Sequence, residues 1–376
     1  MKIIYCVPSL CHLGGLERIV CHKMNLLVKR GHEVSVITTD QNGRPCYFDL
    51  NNSVKCYDLG INYEANRKRS LVKKAFYFFY NRYQHKKRLE KLLQSLRADI
   101  VISTFFNEMS ILPLIKDGSK KILEFHFNKQ MFKYIRRTGL QGWLDDISYK
   151  RLDRHVRKFS RFVVLTQEDA DNWTELNNMV VIPNICSLKF GCRASLTNHR
   201  VMTVGRYEYP KGFERLIDAW SLIARDVDDW TLHIVGEGSL RPDLTEQIRK
   251  KGLEHSIFLD GATKDMVSEY LNSSIAVFTS RYEGFLLAII EAESAGVPVV
   301  SFETPCGPKD IIRNGEDGFL IFNEDIHLLA EKIRLLIQKE DLRMCMGKKA
   351  YINSQKYTEK EIITQWISLF EQVIKE

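Results

Sequence analysis

The stretch Ser280–Val300, SRYEGFLLAIIEAESAGVPVV, contains two glutamates, Glu283 and Glu291, around the apolar run FLLAII. The residues before it, SIAVFTS, have the pattern of a buried strand, and Gly284 interrupts the loop that follows. The residues LLAIIEAESAG then have helical length and stop at Gly296. The pattern therefore predicts a strand, a loop and a helix, with Glu283 at the carboxyl end of the strand and Glu291 inside the helix.

The start of this predicted helix can receive an anion, because backbone amides near Phe285, Leu286 and Leu287 have no intrahelical partner. Carboxylates beside such a site repel phosphate and are better suited to hydroxyl groups. A ribose diol on Glu291 and sugar hydroxyls on Glu283 would fit. The residues alone also allow a plainer interpretation, in which Glu283 only favours the helix N-terminus, by about 0.3–1 kcal/mol, and Glu291 is a surface acid.

The length and composition of the chain limit what it can be. A chain of 376 residues is longer than one hydrophobic core usually serves, so two domains are expected. The nine cysteines are scattered without a C-x-x-C pair, which is typical of a reducing compartment and predicts no zinc site. No run of 18 apolar residues occurs, so a membrane-spanning helix is not expected. The N-terminal residues MKIIYCVPSLCHL predict a first strand rather than a signal peptide.

Both halves of the chain alternate between strand and helix patterns. Strands are predicted at KIIYCVP, EVSVITT, SVKCYDL, ADIVIST, KKILEFHF and RFVVLTQ in the first half, and at VMTVGR, TLHIVGEG, SIFLDG, SIAVFTS, PVVSFE and DGFLIF in the second. Two βαβ series predict an α/β protein with two Rossmann-like parallel-sheet domains, over residues 1–190 and 195–356. The linker is expected near VVIPNICSLKFGCRASLTNHR, and the amphipathic segment 357–376 predicts a terminal helix.

Parallel sheets bind ligands beyond the carboxyl ends of their strands, so loops at those ends are the candidate sites. Arg206 and Lys211 lie in VGRYEYPKGF, after the first strand of the second domain, where two cations can neutralise a diphosphate without a metal. Gly14 and Gly15, in PSLCHLGGLERIV, let a ligand approach the backbone closely. Taken alone, each motif is also compatible with an ordinary turn.

Two further strand ends of the first domain carry polar side chains. His126 follows the strand KKILEFHF, and Asn107 lies in TFFNEMS after the neighbouring strand. A lone histidine is more often a structural residue than a ligand contact. The one D-x-D sequence, Asp226-Val227-Asp228, lies in a polar turn, and no other Asp/His cluster has the spacing of metal ligands.

The segment EGFLLAIIEAESAGVPVV matches the signature E-G-F-x-L-x-x-x-E-A-x-x-x-G-x-P-V-V. In this it resembles the retaining GT-B glycosyltransferases of glycosyltransferase family 4 (glycosyl transferases group 1), typified by bacterial enzymes of cell-envelope synthesis. The resemblance covers most of the chain, is strongest over 201–321 and is weakest over 40–160. Glu293 departs from it, since these enzymes commonly carry an apolar residue there.

The resemblance implies a GT-B architecture, in which two Rossmann-like domains face each other across a cleft and the terminal helix crosses back to the first domain. It implies that the first domain binds the acceptor and the second binds a nucleotide sugar. The implied donor-binding residues are Gly15, Arg206, Lys211, Glu283, Gly284, Phe285, Leu286, Leu287 and Glu291. The implied acceptor-binding residues are Gly14, Gly15, Asn107 and His126, and the implied catalytic residues are Glu283, His126, Arg206 and Lys211.

The same resemblance implies a reaction without a metal or other cofactor. A hexose or N-acetylhexosamine would pass from a nucleotide sugar, with UDP favoured, to a glycan or lipid-diphosphate-linked acceptor in bacterial envelope polysaccharide synthesis. No enzyme nucleophile is evident, so we favour front-face transfer, in which the leaving diphosphate assists deprotonation of the acceptor hydroxyl. Two alternatives remain open: a GT-B UDP-sugar epimerase, and a non-catalytic nucleotide-sugar-binding partner.

Charge is distributed unevenly along the chain. Residues 1–190 carry 32 Lys and Arg against 18 Asp and Glu, and residues 191–376 carry 23 against 29, so +14 and −6 add to the net +8. Most of the positive charge lies in two basic regions, 66–97 and 129–161, where aromatic residues interleave with Lys and Arg. This favours a cytoplasmic protein in peripheral contact with the anionic inner face of the cell membrane. A solvated basic surface is the plainer alternative, and no motif supports nucleic acid.

Overall fold

The computed structural model describes residues 1–65, 71–105, 107–130, 142, 149, 152–173 and 176–376. The chain forms two compact units. Unit 1 comprises Met1–Leu165, Asp169–Ile185 and Glu359–Glu376, and unit 2 comprises Thr166–Glu168 and Cys186–Thr358. The terminal segment of the chain therefore belongs to the same unit as its beginning.

Unit 1 is built on a seven-stranded parallel sheet with the order β3-β2-β1-β4-β5-β6-β7. Its strands are β1 (Lys2–Val7), β2 (Glu33–Thr38), β3 (Lys55–Asp58), β4 (Ile100–Ser103), β5 (Lys120–Glu124), β6 (Arg161–Val164) and β7 (Met179–Val181). The central strands are almost wholly buried, as strands covered on both faces must be. Six of the seven lie in predicted strand segments, whereas β7 overlaps the start of the predicted linker.

Helices cover the sheet of unit 1. The described ones are Gly15–Lys29, Leu71–Leu96, Glu359–Lys375 and the short Gln167–Asp171, whose first two residues are assigned to unit 2. The terminal helix is amphipathic, and its apolar face is buried in the same core cluster as β1 and the helix Gly15–Lys29. That face consists of Ile362, Ile363, Trp366, Leu369, Phe370 and Val373.

Unit 2 is built on a six-stranded parallel sheet with the order β10-β9-β8-β11-β12-β13. Its strands are β8 (Arg200–Val204), β9 (Thr231–Val235), β10 (Ile257–Gly261), β11 (Ile275–Phe278), β12 (Val299–Phe302) and β13 (Gly318–Ile321). Its helices are Phe213–Ser221, Arg241–Lys251, Met266–Leu271, Leu287–Ser294, Pro308–Ile311, Ile326–Gln338 and Glu340–Ser354. All six strands match predicted segments, although β8 begins one residue earlier than predicted, at Arg200. The prediction of an α/β protein with two Rossmann-like parallel sheets is confirmed.

The strand order reverses once in each sheet. In unit 1 the reversal lies between β1 and β4, and in unit 2 it lies between β8 and β11. Connections leave such a pair of strands towards opposite faces of the sheet, which opens a crevice at their carboxyl ends. Topology thus gives each unit one favoured position for a ligand.

The basic regions predicted at 66–97 and 129–161 are described only in part. Residues 66–70 and most of 131–151 lie outside the described residues, and with them lie the predicted aromatic residues Phe132, Tyr134 and Trp143. Within the described part of the chain, no helix combines the length and apolar character that crossing a membrane requires.

Candidate active site

The predicted cation and acid of unit 2 meet where β8 and β11 end side by side. Lys211 Nζ donates to Glu283 Oε1 at 2.6 Å, and Ser280 Oγ donates to the same oxygen at 2.7 Å. The side chains of Lys211 and Glu283 are 20% and 16% exposed, so the pair is only partly open to water. Residues 72 positions apart in the sequence are therefore joined at the strand-order reversal of unit 2.

The backbone of the two loops brings this pair together. Arg281 N, after β11, donates to Pro210 O, in the loop after β8, at 2.7 Å. Gly205 makes room for the lysine, since a Cβ there would stand 2.9 Å from Lys211 Cε. The glycine before Arg206 in the VGR sequence therefore lets the stem of Lys211 lie against the backbone.

Arg206 lies exposed on the same loop. Its guanidinium forms no ion pair within the part of the chain that the structure describes, in contrast to the ammonium of Lys211. Two residues on, the Glu208 carboxylate accepts hydrogen bonds from Ser239 N at 3.1 Å and Ser239 Oγ at 2.9 Å. These bonds, with a smaller contribution from Arg206, lower the pKa of Glu208. These hydrogen bonds thus hold the loop that carries Arg206 against the loop after β9.

Two glycines after β9, which the sequence motifs did not single out, allow the two loops to approach each other closely. Gly236 has φ +150°, and a Cβ there would stand 1.9 Å from Gly205 O. A Cβ at Gly238 would stand 2.4 Å from Tyr207 O, and Tyr207 N donates to Glu237 O at 2.8 Å. The G-x-G sequence after β9 could have predicted this close approach, because glycine lacks the Cβ that would prevent it.

The helix that follows Glu283 begins at Leu287 and ends at Ser294. Its first amide, Leu287 N, donates to Phe285 O at 2.9 Å, so it is already engaged in a turn. The amides of Phe285 and Leu286 have no such bond among the described residues. The loop after β12 also reaches this point, since a Cβ at Gly307 would stand 3.4 Å from Leu286 N. The predicted anion contact therefore rests on two amides rather than three.

Glu291 lies inside this helix with only 4% of its surface exposed, so it is not a surface acid. Tyr270 donates its hydroxyl to Glu291 Oε2 at 3.0 Å, and Tyr270 is itself fully buried. A buried carboxylate whose orientation is fixed by a phenol can present an acceptor in a defined direction. No sequence pattern indicates this partner, because Tyr270 lies on a different helix, Met266–Leu271.

Glu293, the departure from the family signature, has no exposed surface. Asn353 Nδ2 donates to Glu293 Oε2 at 3.3 Å. Burial, and then the neighbouring carboxylate of Asp317, raise the pKa of Glu293 well above its usual range. The raised pKa favours the neutral form of this buried carboxyl group, which suits a position where an apolar residue is common.

The Gly-Gly loop and Asn107 of unit 1 lie at the strand-order reversal of its sheet. Gly14 precedes the helix Gly15–Lys29, which follows β1. Asn107 begins the 3₁₀ turn Asn107–Ser110 after β4, and it is half-buried. Because β1 and β4 pair directly, the Gly-Gly loop and Asn107 leave the sheet at adjacent strand ends.

His126 lies two residues beyond β5, with 5% of its side chain exposed. Its Nε2 atom is 3.1 Å from Glu124 Oε1, and the same oxygen accepts from Lys23 Nζ. Burial alone would raise the pKa of Glu124, but Lys23 and His126 together outweigh it and lower that pKa to about 2. His126 therefore belongs to a buried cluster with Glu124 and Lys23. The sequence predicted either a lone structural histidine or a sugar contact, and neither interpretation included these two partners.

The predicted site residues thus form two groups, one in each unit. Lys211 and Glu283 lie at the strand-order reversal of unit 2, and the unit 1 group comprises the Gly-Gly loop and Asn107 at the reversal of that sheet and His126 after the neighbouring strand β5. No group of three or more His, Cys, Asp or Glu side chains in the described part of the chain has the geometry of a metal site. That the reaction needs no metal ion stays a prediction.

Comparisons with known proteins cover both units. A family model described as Glycosyltransferase Family 4 matches residues 13–190, and one described as Glycosyl transferases group 1 matches residues 192–353. The chain is 26% identical over 383 residues to the amylovoran biosynthesis glycosyltransferase AmsD of Erwinia amylovora, covering 97% of this chain and 98% of that one.

A second relative comes from Campylobacter jejuni and is an α-1,4-N-acetyl-D-galactosaminyltransferase acting on GalNAc-α-(1→4)-GalNAc-α-(1→3)-diNAcBac-PP-undecaprenol. It is 23% identical over 391 residues, covering 99% of each chain. Among solved structures, a variant of TarM from S. aureus in complex with Fondaparinux, α-GlcNAc-glycerol and UDP superposes with a TM-score of 0.78. That match has 19% identity, covers 98% of this chain and 99% of TarM, and shows a common fold.

Proposed function

This chain belongs to glycosyltransferase family 4 and has the GT-B fold, and from that premise we propose that it is a retaining hexosyltransferase that uses a UDP-sugar. The family and the relatives make it a glycosyltransferase of bacterial polysaccharide or glycan synthesis. The proposal adds the donor, a UDP-linked hexose or N-acetylhexosamine, and the acceptor, a glycan or a lipid-diphosphate-linked sugar.

The observation that carries the proposal is the contact of Lys211 with Glu283 at the strand-order reversal of unit 2. Lys211 and Arg206 place two positive charges on one loop, where they can offset the charge that develops on a departing diphosphate. The acid on the next loop suits the hydroxyl groups of the sugar. A diphosphate and its sugar would thus be held by neighbouring loops without a metal ion.

The proposed transfer step is a front-face displacement, in keeping with the resemblance to retaining enzymes. The acceptor hydroxyl attacks the anomeric carbon on the face from which the diphosphate leaves, so the anomeric configuration is retained. The bond from the anomeric carbon to the phosphate oxygen breaks, and its electron pair stays on the diphosphate. The acceptor proton passes to a diphosphate oxygen. Arg206 and Lys211 stabilise the diphosphate throughout.

UDP is the proposed nucleotide, and Glu291 is proposed to hold its ribose diol. The TarM variant with a similar fold was solved with UDP. A buried carboxylate oriented by Tyr270 is a good acceptor for two adjacent hydroxyl groups, because both can donate to it at once.

Calorimetric titration of UDP, GDP and ADP in the presence of EDTA tests this donor site. We expect UDP to bind without metal and Glu291→Ala to weaken binding by about 1–3 kcal/mol, the cost of losing one hydrogen-bonded partner. Glu293→Gln is the matched control on the same helix and should leave UDP binding unchanged. Absence of nucleotide binding, or binding that requires a divalent ion, would contradict the proposed site, and a preference for GDP or ADP would contradict UDP.

The same protein, supplied with UDP-sugars and lipid-diphosphate-linked acceptors, tests the reaction. NMR of the product should show the anomeric configuration of the donor sugar. An inverted configuration would exclude retention. Consumption of UDP-GlcNAc without any acceptor would instead identify an epimerase.

We extend the proposal to a peripheral contact with anionic membrane through the helix Leu71–Leu96. Phe76 and Phe79 on this helix are 67% and 70% exposed, and Tyr83 is also exposed. Exposed basic residues follow within the next three turns, namely Lys86, Lys87, Arg88 and Lys91. Aromatic side chains beside Lys and Arg are suited to the boundary between headgroups and acyl chains, where each basic residue contributes about 1 kcal/mol.

Flotation with lipid vesicles tests this contact. The protein should float with vesicles that contain anionic lipid and remain below with purely neutral ones. Replacing Phe76 and Phe79 with serine should reduce the bound fraction, whereas Phe258→Ser, at an exposed phenylalanine of unit 2, should not. Equal binding of all three proteins would contradict a role for this helix.

A further inference from the structure

Three titratable side chains of unit 1 form a buried row that ends at His126. Lys23, on the helix Gly15–Lys29, and Glu124, at the end of β5, are each 1% exposed. Lys23 Nζ donates to Glu124 Oε1, and His126 Nε2 lies 3.1 Å from that same oxygen. One carboxylate oxygen thus stands between an ammonium group and an imidazole ring.

The aromatic side chains around Lys23 separate this row from water. Lys23 Nζ lies 3.9 Å from the centroid of the Trp366 ring and 5.6 Å from that of the Tyr5 ring. Trp366 belongs to the terminal helix, and both rings are fully buried. A cation over an aromatic face is stabilised electrostatically, more so when it is desolvated. The terminal helix therefore closes the end of the row that is remote from His126.

Stability alone does not account for such a row. Desolvating an ion pair costs several kcal/mol per ion, and well-packed apolar residues of the same volume are often neutral or stabilising replacements. Burial lowers the pKa of Lys23, while its contact with Glu124 opposes that change. Glu124 remains ionised because its pKa lies near 2. A fold that keeps a carboxylate charged at this depth provides a strong, fixed acceptor for the ring beside it.

The position of that acceptor decides which nitrogen of His126 carries the proton. A neutral imidazole has one N–H, and the hydrogen bond made by one nitrogen determines the role of the other. With Glu124 Oε1 beside Nε2, the proton belongs on Nε2, and Nδ1 is left with its lone pair. The Nε2 contact is not a well-aligned hydrogen bond in this structure. Catalytic hydrogen bonds commonly reach full alignment only with substrate in place.

We propose that Glu124, held by Lys23, is a positioning residue that fixes His126 in the Nε2–H tautomer and presents Nδ1 to a hydroxyl group of the sugar or the acceptor. The tautomer and the ring orientation follow from the geometry of unit 1. The identity of the hydroxyl rests on the proposed function. His126 would touch the substrate, whereas Glu124 and Lys23 would act only through it.

The first arm of the test is independent of activity. Nitrogen-15 NMR of the imidazole groups at pH 8 reports the tautomer of each neutral histidine, and His126→Gln identifies the signals of His126. We expect the Nε2–H form in the wild type and a mixture of both tautomers in Glu124→Gln, whose amide can donate as well as accept. A wild-type Nδ1–H form, or a tautomer unchanged in Glu124→Gln, would overturn the proposal even if the protein transfers no sugar.

The second arm asks whether Glu124 acts through His126. Glu124→Gln should lower kcat by about 10- to 100-fold, the usual effect of removing a partner that orients a histidine, with little change in KM for the donor. In a His126→Ala background the same substitution should have no further effect, because coupled residues are not additive. Equal losses in both backgrounds would mean that Glu124 acts structurally.

A matched control separates stability from positioning. Asp117 accepts from Lys121 in another buried lysine–carboxylate pair of unit 1, at the opposite end of β5. Asp117→Asn should lower the melting temperature without changing the His126 tautomer or kcat. If Glu124→Gln fails to fold, Lys23→Met combined with Glu124→Gln removes both charges together and takes its place in both arms. A double variant that keeps the wild-type tautomer and kcat would overturn the proposal.

Discussion

Replacing Lys211 with alanine should lower kcat/KM for sugar transfer by about 10²–10³-fold, the usual loss when one group that stabilises a developing negative charge is removed. The ammonium of Lys211 lies on the loop after β8, 2.6 Å from Glu283, at the strand-order reversal of unit 2. Its removal leaves Arg206 as the remaining cation of that loop. The variant should also bind UDP more weakly, because the diphosphate loses a charged partner.

Lys251→Ala is a suitable control for this prediction. Lys251 forms an ion pair of 2.9 Å with Asp218 elsewhere in unit 2, so the substitution removes a paired lysine that lies outside the candidate site. Both variants should unfold at similar temperatures, since exposed or half-exposed ion pairs contribute about 0–1 kcal/mol. If Lys211→Ala transferred sugar as fast as Lys251→Ala, Lys211 would have no part in the proposed mechanism.

Glu283→Gln should separate transfer from nucleotide binding. In the structure, the Glu283 carboxylate engages the ammonium of Lys211. The neutral amide holds that ammonium less strongly, so UDP should bind at least as tightly as to the wild type. Transfer should nevertheless fall by about 10²-fold or more, because a carboxylate that contacts the sugar in the transition state is lost. Steady-state kinetics and UDP titration of the same preparation measure both effects.

Glu246→Gln provides the comparison for this substitution, because Glu246 is an exposed glutamate paired with Arg249 in the same unit. It should alter neither transfer nor UDP binding. Weaker UDP binding by Glu283→Gln would show that this carboxylate supports the diphosphate site rather than competing for Lys211. In a Lys211→Ala background, any gain in UDP affinity from Glu283→Gln should disappear, since the gain depends on releasing the ammonium.

The strands and the strand-end loops of this protein could be predicted because their signals are local. Buried strands are short apolar runs, and twelve of the thirteen lie in the segments that such runs indicated. The exception, β7 (Met179–Val181), has three half-buried residues in the short apolar run Met179–Ile182. Pro183 and Asn184 follow that run at once, so most of it was assigned to the linker. The order of motifs along the chain predicted that Arg206, Lys211 and Glu283 follow strand ends. The structure has them in the loops after β8 and β11.

Burial of single polar residues could not be predicted in the same way. Glu291 and Glu293 lie two residues apart on one short helix, and both are buried. The first has a tyrosine as its partner and the second an asparagine. Neither partner lies near them in the sequence, so the pattern was equally compatible with one or both acids facing water.

The amino-acid sequence by itself determined the two parallel-sheet units and, through the glutamate signature, the family. It also determined that the candidate loops follow strand ends and that Glu291 lies inside a helix. These follow from periodicity and spacing over a few turns of chain. Only the tertiary structure decided which side chains meet: Lys211 with Glu283, Tyr270 with Glu291, and Lys23 with Glu124 beside His126. Such contacts join residues up to 101 positions apart. They depend on strand order and helix packing, which bring distant segments to one edge of a sheet. A local sequence pattern contains no information about either.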